Sequence, residues 1–272
     1  MFWSAVHLAL PTLVSGVVFF AGAWFLTPAE FGLFGLAAGI IATVIAISPI
    51  GFGEALVQRE TLNAKHVDTV FGLTLAYGLL AWAGVSATAV PVAAWLQEPE
   101  LAAVILALGL KIPLDLAVAA PSALVVREMQ FRAIALRTIV SAGVGGSAAF
   151  TLLVLGYGIW ALVASQLIAS FIVLIITLRV ARWVPGGWPE MNAARALLNY
   201  GAFASGGKML SSLRLDHIAL GALGGTAFLG LFVLSQRIQQ MLTTVLTGAL
   251  AAVSHSLLSS LQAEREKLRR AF

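Results

Sequence analysis

Eight apolar runs, each about as long as a membrane is thick, divide this sequence at approximately 5–26, 31–50, 68–95, 101–125, 134–155, 158–178, 197–222 and 227–252. A helix rising 1.5 Å per residue needs about 20 such residues to cross a hydrocarbon core of ~30 Å. The alternating segments of about ten residues that mark a membrane barrel are absent. Only 10% of the chain is charged, against about 25% for a soluble domain. The expected fold class is all-α: a polytopic membrane helix bundle of about eight transmembrane helices.

The connections between the runs alternate in kind. Thr27–Glu30, Leu96–Glu100, Leu155–Gly158 and Leu223–Thr226 are short and contain no Lys or Arg. The others carry Arg59 and Lys65, then Arg127, Arg132 and Arg137, then Arg179, Arg182 and Arg195, with Arg265, Lys267, Arg269 and Arg270 in the tail. The positive-inside rule makes this second set cytoplasmic, so both termini are expected in the cytoplasm. Met1 to Thr27 lacks a basic n-region and is too long for a signal-peptide core, so it reads as a retained first span. Trp3 and Trp24 bracket it about 31 Å apart, the spacing of an aromatic belt. Residues 53–67 read as a short interfacial helix.

Ala29-Glu30-Phe31-Gly32-Leu33-Phe34 and Ala227-Phe228-Leu229-Gly230-Leu231-Phe232 match at Ala, Gly, Leu and Phe, 198 residues apart. Both open the second helix of a hairpin. A repeat unit of six spans gives two halves of the same orientation, the parallel-repeat logic of some transporters. The expected organisation is a six-helix lobe over 1–190, the first hairpin of a second lobe over 191–253, and a cytoplasmic amphipathic tail over 254–272. On this reading the second lobe has two of its six helices, and the sequence is a C-terminally truncated fragment.

Four cations lie inside the runs: Lys111, Lys208, Arg214 and Arg237. A charge at bilayer depth costs at least ~2.5–3.5 kcal/mol, so each needs a reason. Helical rise puts Lys111, Lys208 and Arg237 each roughly 15–16 Å into its span, near the midplane where transporter sites lie. Asp115 is four residues from Lys111, on the same helix face, and the pair brackets Pro113. Arg214 and Asp216 are placed near the outer end of their span, where snorkelling is cheap. Four cations against two carboxylates suit an anion such as a diphosphate. Lys111, Lys208 and Arg237 are thus candidate diphosphate-binding residues, with Asp115, Arg214 and Asp216 as secondary or ion-coupling candidates and His217 as a proton carrier.

Other chemistry is excluded by residue type. No cysteine is present, which removes disulfides and thiolate catalysis. No His-Glu-x-x-His pattern occurs and His7 and His255 lack metal-ligand neighbours, so no metal, cofactor or catalytic residue is expected. Gly51-Phe52-Gly53 lacks the context of a nucleotide loop, and no basic cluster with interleaved aromatics calls for nucleic acid. Gly35 and Gly39 form a small-xxx-small pair suited to close helix packing.

Several stretches together resemble the polysaccharide-transporter branch of the multidrug/oligosaccharidyl-lipid/polysaccharide exporter superfamily. They are Leu26-Thr27-Pro28-Ala29-Glu30-Phe31-Gly32-Leu33-Phe34, Gly51-Phe52-Gly53-Glu54-Ala55-Leu56-Val57-Gln58-Arg59, Arg127-Glu128-Met129-Gln130-Phe131-Arg132, Gly156-Tyr157-Gly158-Ile159-Trp160-Ala161-Leu162-Val163, Asp216-His217-Ile218-Ala219-Leu220-Gly221 and Gly230-Leu231-Phe232. The resemblance implies two six-helix lobes around a central cavity. It implies a non-enzymatic flippase that carries a polyprenyl-diphosphate-linked oligosaccharide, a lipopolysaccharide or exopolysaccharide precursor, across the bacterial inner membrane by alternating access. Expected partners are the lipid-linked oligosaccharide, membrane lipids and other polysaccharide-assembly proteins. Trp24 stands where relatives often place a basic residue, and Pro49 where an acidic one is common, departures that bear on specificity. The alternatives are a non-transporting component of a polysaccharide assembly complex, a multidrug exporter, and a membrane glycosyl- or phospho-transferase. A transferase would want clustered carboxylates around Mg²⁺, and cationic drugs would want an acidic cavity.

Overall fold

The computed structural model describes residues 16–49, 51–59, 62–187, 190 and 214–261, with side chains described through residue 243. Among these residues every regular element is a helix. They are α1 (Gly16–Phe25), α2 (Pro28–Ala46), α3 (Gly51–Gln58), α4 (Ala64–Trp95), α5 (Pro99–Gly109), α6 (Lys111–Ala117), α7 (Ala119–Arg127), α8 (Phe131–Val154), α9 (Ile159–Ala181) and α10 (Leu215–Leu261). Six stretches are long and apolar enough to cross a membrane: Pro28–Ala46, Ala64–Trp95, Pro99–Arg127, Phe131–Val154, Ile159–Ala181 and Leu215–Thr243. The protein is an all-α, multi-pass membrane protein. α1 is the described part of the first expected span, while most of the expected span 197–222 lies outside the described residues.

Local chemistry sets the helix bounds. Thr27 caps α2 reciprocally with Glu30: the Thr27 N–H donates to Glu30 Oε2 at 2.8 Å, and the Glu30 N–H donates to Thr27 Oγ1 at 3.3 Å. Pro28 follows at the first helical position, where its missing N–H costs nothing. Two prolines break the fourth apolar run into α5, α6 and α7. A proline removes a hydrogen bond to the carbonyl four residues back and clashes with it. Counting back from Pro113 and Pro121 gives Gly109 and Ala117, the last residues of α5 and α6. At the first break Leu110 N–H turns to Ala107 O, and the Trp82 indole N–H donates to Leu106 O at 3.4 Å.

Packing separates inner from lipid-facing helices. The most apolar windows of α2 and of Pro99–Arg127 are 50% and 56% buried, whereas those of α4, α8 and α9 are 22–28% buried. Leu80, Val90, Trp95, Val154 and Phe171 are among the large apolar side chains that these outer helices leave exposed, as a bilayer solvent permits. α8 and α9 form the most extensively packed pair, with Gly145 set against Ser165 and Ala169.

The four cation-free connections come together. Thr226 Oγ1 donates to Glu98 Oε1 at 2.8 Å, Glu30 Oε1 lies against Gly158, and Gly230 lies against Pro28. Three segments of the cation-bearing set gather around α3. Arg127 Nη1 donates to the carbonyls of Leu56 and Val57, each at 3.3 Å, and to that of Arg59, satisfying acceptors that a helix end leaves open. Trp183, beyond α9, packs edge-on against Phe71 at 5.3 Å, and Lys65 pairs with Glu190 at 2.6 Å. One expectation is revised here. The segment after Gly51 does form a short helix, but Gly51, Phe52, Gly53, Ala55 and Leu56 are buried against α4 and α7. It is a packed element, because its apolar residues outnumber its polar ones on the inward face.

The chain divides into compact units Met1–Leu231 and Phe232–Phe272, so the boundary falls inside α10. α10 itself is interrupted at Gly225, whose φ of 77° and ψ of 169° are non-helical. Only glycine adopts that backbone without strain. The break lies in the connection expected at Leu223–Thr226.

Candidate functional site

Lys111 opens α6, immediately after the Pro113-induced break, in one of the two most buried spans. Its Nζ lies 3.0 Å from Asp115 Oδ2, and the two side chains are 25% and 30% exposed. The same Nζ donates to Ser170 Oγ of α9 at 2.8 Å, and Ser170 is buried. The i,i+4 spacing expected from sequence therefore does join the two charges. What the sequence did not disclose is Ser170, because 59 residues separate it from Lys111 and a serine in a greasy span carries no charge signal. An ammonium has three N–H donors. Among the described residues Asp115 and Ser170 use two, which leaves the third for an anion beside an already oriented pair.

The segment Arg214–Gly221 runs antiparallel to α2. Arg214 N–H donates to Thr43 Oγ1 at 3.4 Å, His217 Nδ1 lies 3.3 Å from Gly35 O, and Gly221 lies against Leu36. Gly39 gives the room for this approach, since a Cβ there would lie 2.8 Å from His217 Cβ. The Gly35/Gly39 pair is thus a helix-packing notch. Thr43 is about 22 Å along α2 from Pro28, so Arg214 lies far from the end that holds Thr226. The placement of Arg214 and Asp216 near the outer end of their span is corrected. The reason is the break at Gly225: the helix before it lies along the length of α2, which carries residue 214 deep. His217 is buried, with Nε2 3.9 Å from Asp216 Oδ2.

Arg237 belongs to the second compact unit, where its Nη1 donates to Gln240 Oε1 at 3.4 Å. Lys208 lies outside the described residues. Among the described residues no group of three or more His, Asp or Glu side chains is placed to hold a metal ion.

Arg137 was grouped with the loop cations and is not one. It is the seventh residue of α8, and its Nη1 donates to Thr177 Oγ1 of α9 at 2.8 Å and to Ser122 Oγ of α7 at 3.3 Å. The signal was present in the apolar run that begins at 134, which already encloses residue 137.

The two copies of the repeat meet. A Cβ on Gly32 would overlap the Thr226 carbonyl and lie 2.9 Å from Gly230 N; one on Gly230 would overlap the Pro28 carbonyl and lie 3.0 Å from Gly32 N. Pro28 and Thr226, like Gly32 and Gly230, are 198 residues apart, so the contact is reciprocal, as a two-fold axis between equivalent helix entries requires.

Membrane-length helices, a charged pair held inside one of them, and two matching segments in reciprocal contact define an all-helical, multi-pass membrane protein. The chain belongs to the polysaccharide biosynthesis protein family, whose model matches residues 23–272. It is 32% identical over 160 residues to the succinoglycan biosynthesis transport protein ExoT of Rhizobium meliloti (strain 1021). That match covers 59% of this chain and 32% of the relative, so it spans about a third of the relative's length. The fold is similar to that of an inward-facing multidrug resistance MATE family transporter of the MOP superfamily. That likeness has a TM-score of 0.55 at 18% identity, over 96% of this chain and 66% of the solved one.

Proposed function

We propose that this protein is part of a non-enzymatic transporter that moves a polyprenyl-diphosphate-linked oligosaccharide across the bacterial inner membrane, with its cation-rich connections in the cytoplasm. The observation that carries the reading is Lys111: an ammonium inside a span, fixed by Asp115 and Ser170 with one N–H left over. Oriented donors in a low-dielectric setting hold a phosphate oxygen well, and the lipid tail stays in the bilayer while the head crosses. Family membership and the succinoglycan transport relative support the substrate class. The reciprocal contact at Gly32 and Gly230 supports alternating access, since a two-fold contact between equivalent helix entries lets one half rock against the other. Lys208 and Arg237 are carried from the sequence as further diphosphate-binding residues. Asp115, Arg214 and Asp216 are carried as ion-coupling candidates.

The test is export in cells whose surface polysaccharide depends on this protein. Lys111→Ala paired with Asp115→Ala removes both charges and leaves no uncompensated carboxylate. Loss of surface polysaccharide with normal membrane levels is the expected result; full export by that double variant would sink the assignment of Lys111. Lys208→Ala and Arg237→Ala are each expected to reduce export.

A further inference from the structure

Arg137 is a further cation set within the helices, apart from the Lys111 pair. Three helices bring it together: α7 supplies Ser122, α8 Arg137 and α9 Thr177. Each residue lies four to six positions from the end of its helix at Arg127, Phe131 or Ala181, about 6–9 Å along the axis. The same helix ends carry Arg127, Arg132, Arg179 and Arg182, so the local field is positive.

The hydrogen-bond accounting separates a ligand site from a structural cross-link. Thr177 O–H donates to Val173 O at 2.6 Å, so its oxygen can only accept from Arg137. Thr177 therefore orients the guanidinium and can do nothing for an anion. Ser122 also accepts from Arg137, and its own O–H has no acceptor among the described residues. The Arg137 Nε–H is buried without an acceptor, and no carboxylate pairs with Arg137 among the described residues. Bridging two hydroxyls needs only a neutral amide; a buried full charge is a poor choice for that task unless something negative completes it. The residue as a whole is half-buried.

We propose that Arg137 and Ser122 form a binding site for the phosphate of a membrane lipid, with Thr177 fixing the guanidinium. Arginine suits this task because its guanidinium stays charged and keeps Nη2 donors that Ser122 and Thr177 do not use, and the site's level within the helices suits a headgroup drawn slightly below the membrane surface. Two lipids carry that chemistry, a bilayer phosphodiester and a polyprenyl diphosphate.

The test is native mass spectrometry of the purified full chain in detergent, titrated with dioleoylphosphatidylglycerol, farnesyl diphosphate or phosphate-free dioleoylglycerol. The wild type is expected to retain at least one phosphate-bearing probe and not dioleoylglycerol. Arg137→Gln is expected to weaken that retention about tenfold or more, and Ser122→Ala about threefold. Loss confined to phosphatidylglycerol identifies a bilayer lipid; loss confined to farnesyl diphosphate identifies the isoprenoid diphosphate; loss of both identifies phosphate alone as the determinant. Equal retention by wild type and a monodisperse Arg137→Gln protein overturns the proposal. If Arg137→Gln does not stay monodisperse, Ser122→Ala decides, since it keeps the charge and removes a single hydrogen bond of 3.3 Å from Arg137: weakened retention supports the site, and unchanged retention overturns it.

Discussion

Gly32 of α2 and Gly230 of α10 face each other's backbone, and neither has room for a methyl group. A Cβ on either would overlap the carbonyl of the residue four positions before the other. Helices approach this closely only where side chains vanish from both, and the two glycines hold equivalent places in a repeat. The contact ties the entry of α2 to the matching entry within α10.

Gly32→Ala or Gly230→Ala is expected to force the two helix entries apart. Overpacking of this kind costs about 1–3 kcal/mol. Spin labels at Ala29 and Ala227 should show a longer separation in each variant. Because both substitutions strain one contact, the double variant should cost clearly less than the sum of the singles.

Lys111→Met alone leaves Asp115 half-buried without its cation. Breaking a fully buried pair costs ~3–5 kcal/mol, and partial exposure here lowers that figure. Adding Asp115→Leu should recover most of the loss, read as the thermal midpoint in detergent. A double variant no more stable than Lys111→Met would show that the pair is not coupled.

Arg127→Ala should destabilise the α3 region by about 1–3 kcal/mol, because three carbonyls at the end of that helix lose a charged donor. Arg127→Lys should recover only part of the loss, since all three carbonyls converge on one nitrogen, Nη1, which the shorter lysine stem does not fully reach. Hydrogen exchange of residues 51–59 is the measurement.

Glu190→Gln should change stability by less than about 1 kcal/mol. The Lys65–Glu190 pair is short, but its side chains are 70% and 48% exposed, and exposed pairs contribute little. A larger loss in thermal midpoint would show that the pair acts within a network with Thr69, whose Oγ1 accepts from Glu190 N–H.

Much of the fold was legible because the bilayer makes the code simple. Run length pointed to the helices, Pro113 to a kink and Leu223–Thr226 to a break, through backbone chemistry that acts within four residues; the second interruption of the fourth run, before Pro121, came from the structure. The alternation of neutral and basic connections separated the two ends, and the structure gathers the neutral ones. The site was legible only where its partners are local: Asp115 is one turn from Lys111. Ser170, Thr177 and Ser122 were not, because hydroxyls in apolar spans acquire meaning only when a cation on another helix points at them.

By itself the sequence determined the all-helical class, the Lys111–Asp115 pair and the two matching segments, since each depends on near neighbours or on pattern. Tertiary structure decided the rest. It turned Arg137 from a loop cation into a half-buried one within α8, carried Arg214 to the level of Thr43, packed α3 inward, and set Gly32 on Gly230. Each of these depends on which helices approach one another. That choice is made by small residues and hydroxyls whose spacing along the chain bears no relation to their separation in space.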